Sequence, residues 1–235
     1  MLTERGGDRS HWVGVVADRR SSTPESGIGL RRVERRARAE EGDRPSAAQW
    51  EAILDASARV FHRIGYSTAN LDDIASEVGL IRSSIYYYVG GKAELLAELG
   101  RRTIRESVPS LNELATRNLP PAAMVEAIIH QQMDLLETTY PRLFVFHNER
   151  RHHTDPELRK LIDEVAEMRI ALMARAIQAG KKSGEFRRDL DPRITARLIV
   201  GMCAETRFWW KPEGPRSLTE VGRAIAQLVV SGMRE

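Results

Sequence analysis

The feature that most constrains the fold is a pair of short amphipathic segments that meet at Gly79. In the first segment, apolar residues follow the helical spacing i, i+3, i+4 and i+7, at Leu71, Ile74, Ala75 and Val78. Asn70 is placed to cap this helix, and Asp73 completes a capping box. The second segment ends at Gly90 and carries its apolar side chains on one side, at Leu80, Ile85 and Val89. This order is typical of a helix-turn-helix, whose second helix enters the DNA major groove.

A third amphipathic segment precedes this pair. Its core-facing positions form one continuous stripe of Trp50, Ile53, Leu54, Ser57, Val60, Phe61 and Ile64. Ser46 and Gln49 match the S-x-x-Q signal of a helix start behind Pro45, and Gly65 is the residue type expected after a helix end. We therefore expect a three-helix unit.

Residues 46–96 resemble the DNA-binding domain of the TetR family of bacterial transcriptional regulators. The resemblance is carried by "AILDASARVFHRIGYSTANLDDIASEVGL" and by "SSIYYYVGGKAELL", which resembles the family's Tyr-Tyr-x-aromatic-x-x-Lys-x-x-Leu signature. Two positions depart from the family pattern: Ile81 stands where many members carry a capping serine, and Val89 where many carry phenylalanine. We expect a recognition helix that lacks a side-chain cap and has an apolar residue near the groove.

Three consecutive tyrosines follow in the recognition helix. Their rings point about 100° apart, so they cannot all perform one role. The resemblance implies that Tyr86 and Tyr88 meet DNA and that Tyr87 packs toward the domain. The alternative is that all three rings belong to the core.

Other residues around the recognition helix complete the expected DNA surface. Arg82 is suited to bond O6 and N7 of guanine, unless it is only a solvated surface arginine. Ser83 and Ser84 allow close approach, and Lys92 is expected to contact phosphate. The predicted DNA-binding set is Asn70, Arg82, Ser83, Ser84, Tyr86, Tyr88 and Lys92.

Charge gives this assignment little support. Residues 45–93 contain four basic and five acidic side chains, a formal net charge of −1. Affinity for phosphates must therefore come from local placement, from helix N-termini, or from residues 1–44. That segment contains ten arginines and eight acidic residues without a sustained apolar period, so we expect a disordered extension. Its basic cluster around Arg35 is placed to reach an adjacent groove, or it is simply solvated.

Several classes of protein are disfavoured by what the sequence lacks. The single cysteine, Cys203, allows no internal disulfide and fits a reducing cytoplasm. No stretch approaches the roughly 20 apolar residues of a membrane span. Glu149 and His152 form one E-x-x-H, half of a di-iron site, and a second copy is missing. We predict a cytoplasmic protein with no catalytic residues, metal site or cofactor, and keep an all-α enzyme as the weaker alternative.

The remainder of the chain predicts helices. Asp155 and Asp191, each followed by proline, mark two helix starts, and Ser217 to Glu220 forms a capping box for the last helix. No strand pattern of useful length occurs, so the predicted class is all-α. We expect the helix-turn-helix domain in residues 45–92 and a helical ligand-binding and dimerisation domain in residues 93–235.

The last two helices carry apolar residues that need a partner. They are Ile194, Leu198, Met202 and Cys203 on one helix and Val221, Ile225, Leu228 and Gly232 on the other. In the resembled family this pair forms a four-helix bundle with its two-fold mate, which implies a homodimer that reads a palindromic operator in double-stranded DNA. Packing within one chain is the alternative.

Two further segments predict a ligand. Apolar Phe144 and Phe146 adjoin a cationic run, which suits an amphiphilic anion. The segment "FWWKPEGPRSLTE", residues 208–220, resembles a turn in TetR-type regulators of fatty-acid and sterol breakdown that bind acyl-CoA thioesters. The predicted ligand-binding set is Phe144, Phe146, His147, Arg150, Arg151, Met168, Leu172, Trp209 and Lys211.

These features together predict a repressor that an acyl-CoA thioester releases from a lipid or sterol catabolic operon. The alternatives are another lipophilic effector, such as a drug or aromatic acid in efflux control, and tryptophans that merely pack in the dimer interface.

Overall fold

The computed structural model describes residues 47–149, 152 and 155–234. Within these residues the fold is all-α, as predicted, and consists of nine helices without a strand. The helices are α1 Ala47–Ile64, α2 Leu71–Glu77, α3 Arg82–Tyr88, α4 Lys92–Thr116, α5 Pro121–Thr139, α6 Arg142–Asn148, α7 Pro156–Ser183, α8 Pro192–Trp209 and α9 Leu218–Met233. The predictions for residues 1–44, Ser46, Arg150 and Arg151 lie outside the described residues.

Local signals set the helix ends. The Asn70 side chain accepts from two backbone N–H groups of α2, and Asp73 accepts from the Asn70 N–H, so the capping box is present. Gly79 ends α2 with φ of +70°, in the left-handed region that disfavours side chains. Ile81 precedes α3 without a side-chain cap, as the departure from the family pattern predicts.

A small hydrophobic core lies among α1, α2, α3 and the start of α4. Ile53, Phe61, Ile74 and Ile85 are buried there, and Val89 is buried in the place where phenylalanine was the commoner choice. Helix α4 supplies Leu95, Leu96 and Leu99 to this core and then continues into a second, larger core. One continuous helix therefore supports both halves of the molecule.

The second core is formed by α4 to α9. Residues buried in it include Ile104, Ile128, Ile129, Met133, Leu172, Ile177, Ile199 and Val230. Helix α7 runs to Ser183, and Phe186 then folds back over Gly180. None of the described helices combines the length and the apolar character needed to cross a membrane.

Candidate DNA-binding surface and effector domain

The outer face of α3 forms an exposed surface that we call the recognition surface. It consists of Ile81, Arg82, Ser83, Tyr86 and Tyr87, all of which are exposed. Ile85, on the opposite side of the same helix, is fully buried and anchors α3 to the domain. The seven-residue helix therefore presents polar and aromatic groups outward from a fixed base.

The exposure of the tyrosines corrects the division expected from the resemblance. Tyr86 and Tyr87 are 47% and 55% exposed, whereas Tyr88 is half-buried and packs against the small core. Tyr87 does not pack into the domain, and its ring meets the edge of Tyr88 at 5.6 Å between centroids. Tyr88, not Tyr87, therefore lies toward the small core that buries Ile85.

Arg82 lies on the recognition surface, as the sequence predicts. Its Nη1 is 2.9 Å from Oδ2 of Asp72 on α2, and 72% of its side chain is exposed. An exposed ion pair of this kind contributes little to stability. It holds the guanidinium near the surface, and a guanine edge must compete with Asp72 for it.

Lys92 is placed differently from the sequence prediction. Its Nζ donates to three backbone carbonyl oxygens, those of Tyr66 at 2.7 Å, Ser67 at 3.0 Å and Ala69 at 2.8 Å. The ammonium also lies 4.8 Å from the centre of the Tyr66 ring. An ammonium has three protons, and all three are used within the chain, so the expected phosphate contact is not supported. Lys92 instead ties the loop between α1 and α2 to the start of α4.

Asn70 lies at the predicted position and caps the N-terminus of α2. Its Oδ1 accepts from the backbone N–H groups of Asp72 at 2.8 Å and Asp73 at 3.0 Å. The side chain is exposed at the N-terminus of α2, where backbone N–H groups favour a phosphate. Ser84 is half-buried, and Ser83 is exposed beside Arg82.

An aromatic cluster joins the DNA-binding half to the second core. The Tyr140 hydroxyl lies 2.6 Å from Nε2 of His62, at the end of α1. Phe144 meets His62 edge-on at 4.8 Å, and Trp210 meets Tyr140 at 5.6 Å. Burial lowers the pKa of His62, and Glu213 in the turn after α8 opposes this shift. Phe144, expected in the ligand pocket, therefore lies at this junction.

A chain of ion pairs crosses the same junction. Arg142 is buried and pairs with Glu106, which also pairs with Arg102. Arg102 in turn contacts Glu51 and Asp55 of α1. These links join α6 to α1 through α4.

Glu149 and His152, the isolated E-x-x-H, form a further contact. Nδ1 of His152 lies 2.8 Å from Oε2 of Glu149, and the His152 ring lies 4.9 Å from the ring of Tyr66. Burial, and then the charge of Glu149, raise the pKa of Tyr66. Within the described residues no group of three potential metal ligands occurs.

The predicted ligand-binding residues are spread over three places. Phe146 and Leu172 are buried in the second core, and Met168 packs against it. His147 is half-buried. Trp209 is 59% exposed, and Lys211 is exposed in the turn after α8. Arg150 and Arg151 lie outside the described residues.

A groove of about 990 Å³ lies elsewhere, among α1, α4, α5 and the start of α6. Arg102, Glu106, Gln131, Tyr140 and Arg142 are among the residues that line it. The structure does not bring the predicted ligand-binding residues to this groove. Five junction residues, Asp55, Arg102, Glu106, Tyr140 and Arg142, therefore belong to its walls.

Comparison with protein families matches both halves of the chain. Residues 53–99 match the model described as bacterial regulatory proteins, tetR family. Residues 118–233 match the model described as tetracyclin repressor-like, C-terminal domain. The chain belongs to the TetR family of bacterial transcriptional regulators. The TetR-family resemblance of residues 46–96 is thereby confirmed and extends through the second core.

Relatives of this TetR-family chain have related descriptions. It is 22% identical to the HTH-type transcriptional repressor KstR2 of Rhodococcus jostii, covering 77% of this chain and 89% of the relative. It is 24% identical to the fatty acid metabolism regulator protein of Bacillus subtilis, covering 77% of this chain and 93% of that relative. The solved structure of the ketosteroid regulator KstR2 of Mycobacterium tuberculosis superimposes with a TM-score of 0.73 at 20% identity, covering 82% of this chain and 97% of that chain.

The family and these relatives are transcriptional regulators, not enzymes. The chain is accordingly a TetR-type DNA-binding repressor. Sequence reasoning found its recognition helix but missed the junction residues His62, Glu106 and Tyr140. Arg142 gave a local signal, because a charged residue opens the otherwise apolar segment "RLFVF".

Proposed function

We propose that this protein binds a palindromic operator as a homodimer and leaves it when an acyl-CoA thioester from lipid or sterol breakdown fills the C-terminal domain. In this proposal residues 45–92 read DNA, and residues 93–235 bind effector and dimerise. The observation that carries the proposal is the junction. Ion pairs and an aromatic cluster connect α1, in the domain that bears the recognition surface, to α4, α6 and α8.

Exposed apolar side chains support the homodimer. Ile194, Leu198 and Met202 project from α8, and Leu228 projects from α9, with exposures from 40% to 67%. Gly232 and Ala224 lie near Leu228, so a second helix can approach closely. An apolar face of this kind on a soluble regulator favours a partner surface. Two recognition helices related by a two-fold axis would then read two half-sites.

Release by effector follows from differential binding. A ligand weakens operator binding only by as much as it prefers the conformation whose recognition helices do not fit DNA. Helix α4 and the residues joining α6 to α1 transmit such a change, because both are packed against the two cores. Movement of α6 would displace Tyr140 from His62 and Arg142 from Glu106.

The choice of acyl-CoA rests on the predicted pocket and on relatives. KstR2 is described as a ketosteroid regulator, and the Bacillus subtilis relative as a regulator of fatty acid metabolism. AibR was solved in complex with isovaleryl coenzyme A and operator DNA. That structure superimposes with a TM-score of 0.64 at 19% identity, covering 79% of this chain and 97% of that chain. In this chain Phe146, Met168 and Leu172 supply apolar volume in the second core, and Lys211 is an exposed cation in the turn after α8.

The test begins with operator fragments selected by the purified protein from genomic DNA. The fragment-bound protein is then titrated with a long-chain or steroid-like acyl-CoA, with free CoA and with the free acid. We expect the thioester to release DNA at lower concentration than either part, because only it combines apolar burial with charge-assisted phosphate contacts. Release by the free acid alone at equal concentration would refute the thioester assignment.

The dimer is tested separately with Leu198→Glu, compared with Lys160→Glu on an exposed face of α7. We expect Leu198→Glu to shift sedimentation toward the monomer and to abolish operator binding, while Lys160→Glu keeps both properties. A Leu198→Glu dimer of unchanged affinity would refute this interface.

A further inference from the structure

Arg169 occupies a position on α7 where the pattern calls for an apolar residue. The buried face of this helix runs through Ile162, Val165, Leu172, Met173 and Ala176, at successive helical spacings. Arg169 falls in the middle of that stripe, four residues after Val165 and three before Leu172. A guanidinium therefore interrupts the apolar seam of the second core.

The charge of Arg169 has no counterpart in the part of the chain that the structure describes. Its Nε is buried and has no hydrogen-bond partner, and no described carboxylate lies within ion-pair distance of it. The titratable group that influences it is the buried thiol of Cys203 on α8. Burial lowers the pKa of Arg169 to about 10 and raises the pKa of Cys203 to about 12, so the arginine is cationic and the thiol neutral at pH 7.

A second buried polar group, on the neighbouring helix α8, is also unpaired. Thr206 lies one helical turn after Cys203 on the inward face of α8 and is fully buried. Its Oγ1 has no hydrogen-bond partner within the described residues. Helices α7 and α8, which pack against each other, therefore each carry a polar group with unused hydrogen-bonding capacity.

Arg169 is half-buried as a residue, and its Nε is fully buried without a partner. A cation held in an apolar seam in this way is costly, and a hydrophobic residue of similar volume is often the more stable choice. Such a group is retained where it serves binding. The guanidinium presents a planar pair of donors that matches a carboxylate. One carboxylate balances one guanidinium, whereas a multiply charged phosphate in this apolar seam would leave charge uncompensated.

We propose that Arg169 is the anchor for a carboxylate carried on the buried part of the effector. The inference rests on the proposed acyl-CoA function and narrows it: the preferred thioesters have an acyl group with a second, free carboxylate. Thr206 donates a hydrogen bond to the same group or to an adjacent oxygen. The seam around Leu172 and Met173 then contacts the hydrocarbon between the two ends.

The experiment compares dodecanedioyl-CoA, dodecanoyl-CoA and free dodecanedioate by calorimetry on the purified full chain. For the wild type we expect the carboxylated thioester to bind about tenfold more tightly than dodecanoyl-CoA, as a charge-assisted pair predicts. In Arg169→Met that preference disappears, and dodecanoyl-CoA binds within about twofold of its wild-type affinity. Arg175→Met, an exposed arginine on the same helix, serves as the matched control and keeps the preference.

Folding of the variant is checked by thermal unfolding without ligand. We expect Arg169→Met to unfold at the wild-type temperature or above it, because it removes a charge without an ion-pair partner from the apolar seam. A lower unfolding temperature together with weaker dimerisation and a retained preference would overturn the inference, since Arg169 would then pair with a carboxylate of the partner subunit.

The outcomes separate the inference from the function on which it rests. Equal affinity of the two thioesters for the wild type overturns the carboxylate anchor and leaves the acyl-CoA proposal standing. If free dodecanedioate binds and neither thioester does, the result supports the carboxylate anchor and overturns the acyl-CoA proposal. Failure of all three probes to bind overturns both.

Discussion

Replacing Lys92 by methionine tests whether this residue serves the fold or the DNA. Methionine keeps the length of the aliphatic stem and removes the ammonium. The three carbonyl oxygens of Tyr66, Ser67 and Ala69 then lose their donor. The contact between Lys92 and the Tyr66 ring is lost as well.

The magnitude follows from these contacts. Because Lys92 is half-buried and the Ser67 side is exposed, water can replace part of each lost bond, and we take about 1 kcal/mol for each carbonyl. The cation–π contact adds about 0.5–1 kcal/mol. The free energy of unfolding should therefore fall by about 3.5–4 kcal/mol in Lys92→Met.

Urea denaturation measures this loss, and Lys160→Met is its control. Lys160 is exposed and only loosely paired, at 3.8 Å from Glu164, so its replacement should leave the unfolding midpoint almost unchanged. Operator binding is then measured over a range of salt concentrations under conditions where both variants are folded. We expect the Lys92→Met affinity to fall because the loop that positions α2 is loosened, with an unchanged slope of log affinity against log salt.

The opposite result would refute this reasoning. A Lys92→Met protein of wild-type stability, whose salt slope is flatter by about one unit, would show that Lys92 contacts a phosphate in the complex. In that case the three internal bonds would exchange for a phosphate on DNA binding.

Three other expectations concern single residues. Arg82→Ala should relax base preference at one position of each half-site by about 1–3 kcal/mol, measured by competition between operator variants; an equal loss for every sequence would contradict base reading. Burial lowers the pKa of His62 below 6.5, so His62 contributes stability that is present above pH 6.5 and is lost as the pH falls through its lowered folded-state pKa. The wild type should therefore lose more stability than His62→Gln on acidification. Equal losses would contradict this assignment. Gly180→Ala should lower the free energy of unfolding by about 1–3 kcal/mol in denaturant titrations, because its Cβ would lie 2.1 Å from the buried Phe186 ring. An unchanged unfolding midpoint would show that the Phe186 ring can move away freely.

The parts of the fold that depend on near neighbours in sequence were readable from the sequence. Caps act over three residues, so Asn70, Asp155 and Ser217 mark helix starts that the structure confirms. Helical periodicity likewise predicted the all-α class and the recognition helix. The absence of a side-chain cap at Ile81 followed from the residue type alone.

The roles of individual side chains depended on the tertiary structure. The packing of Ile85 in the small core decides which tyrosine of α3 faces the domain. Tyr88 is half-buried against that core, and Tyr87 is exposed. The partners of Lys92 lie 23 to 26 residues earlier in the chain, and no local pattern reveals them.

The sequence by itself determined the helices, their ends and the DNA-reading unit, because backbone hydrogen bonds and capping are satisfied within a few residues. Only the tertiary structure decided the junction and the state of Arg169. His62 and Tyr140 are 78 residues apart, and their contact exists because two separately formed cores share α4. The sequence shows an arginine in an apolar stripe. Only the packed structure shows that none of the described neighbours of this arginine bonds its Nε.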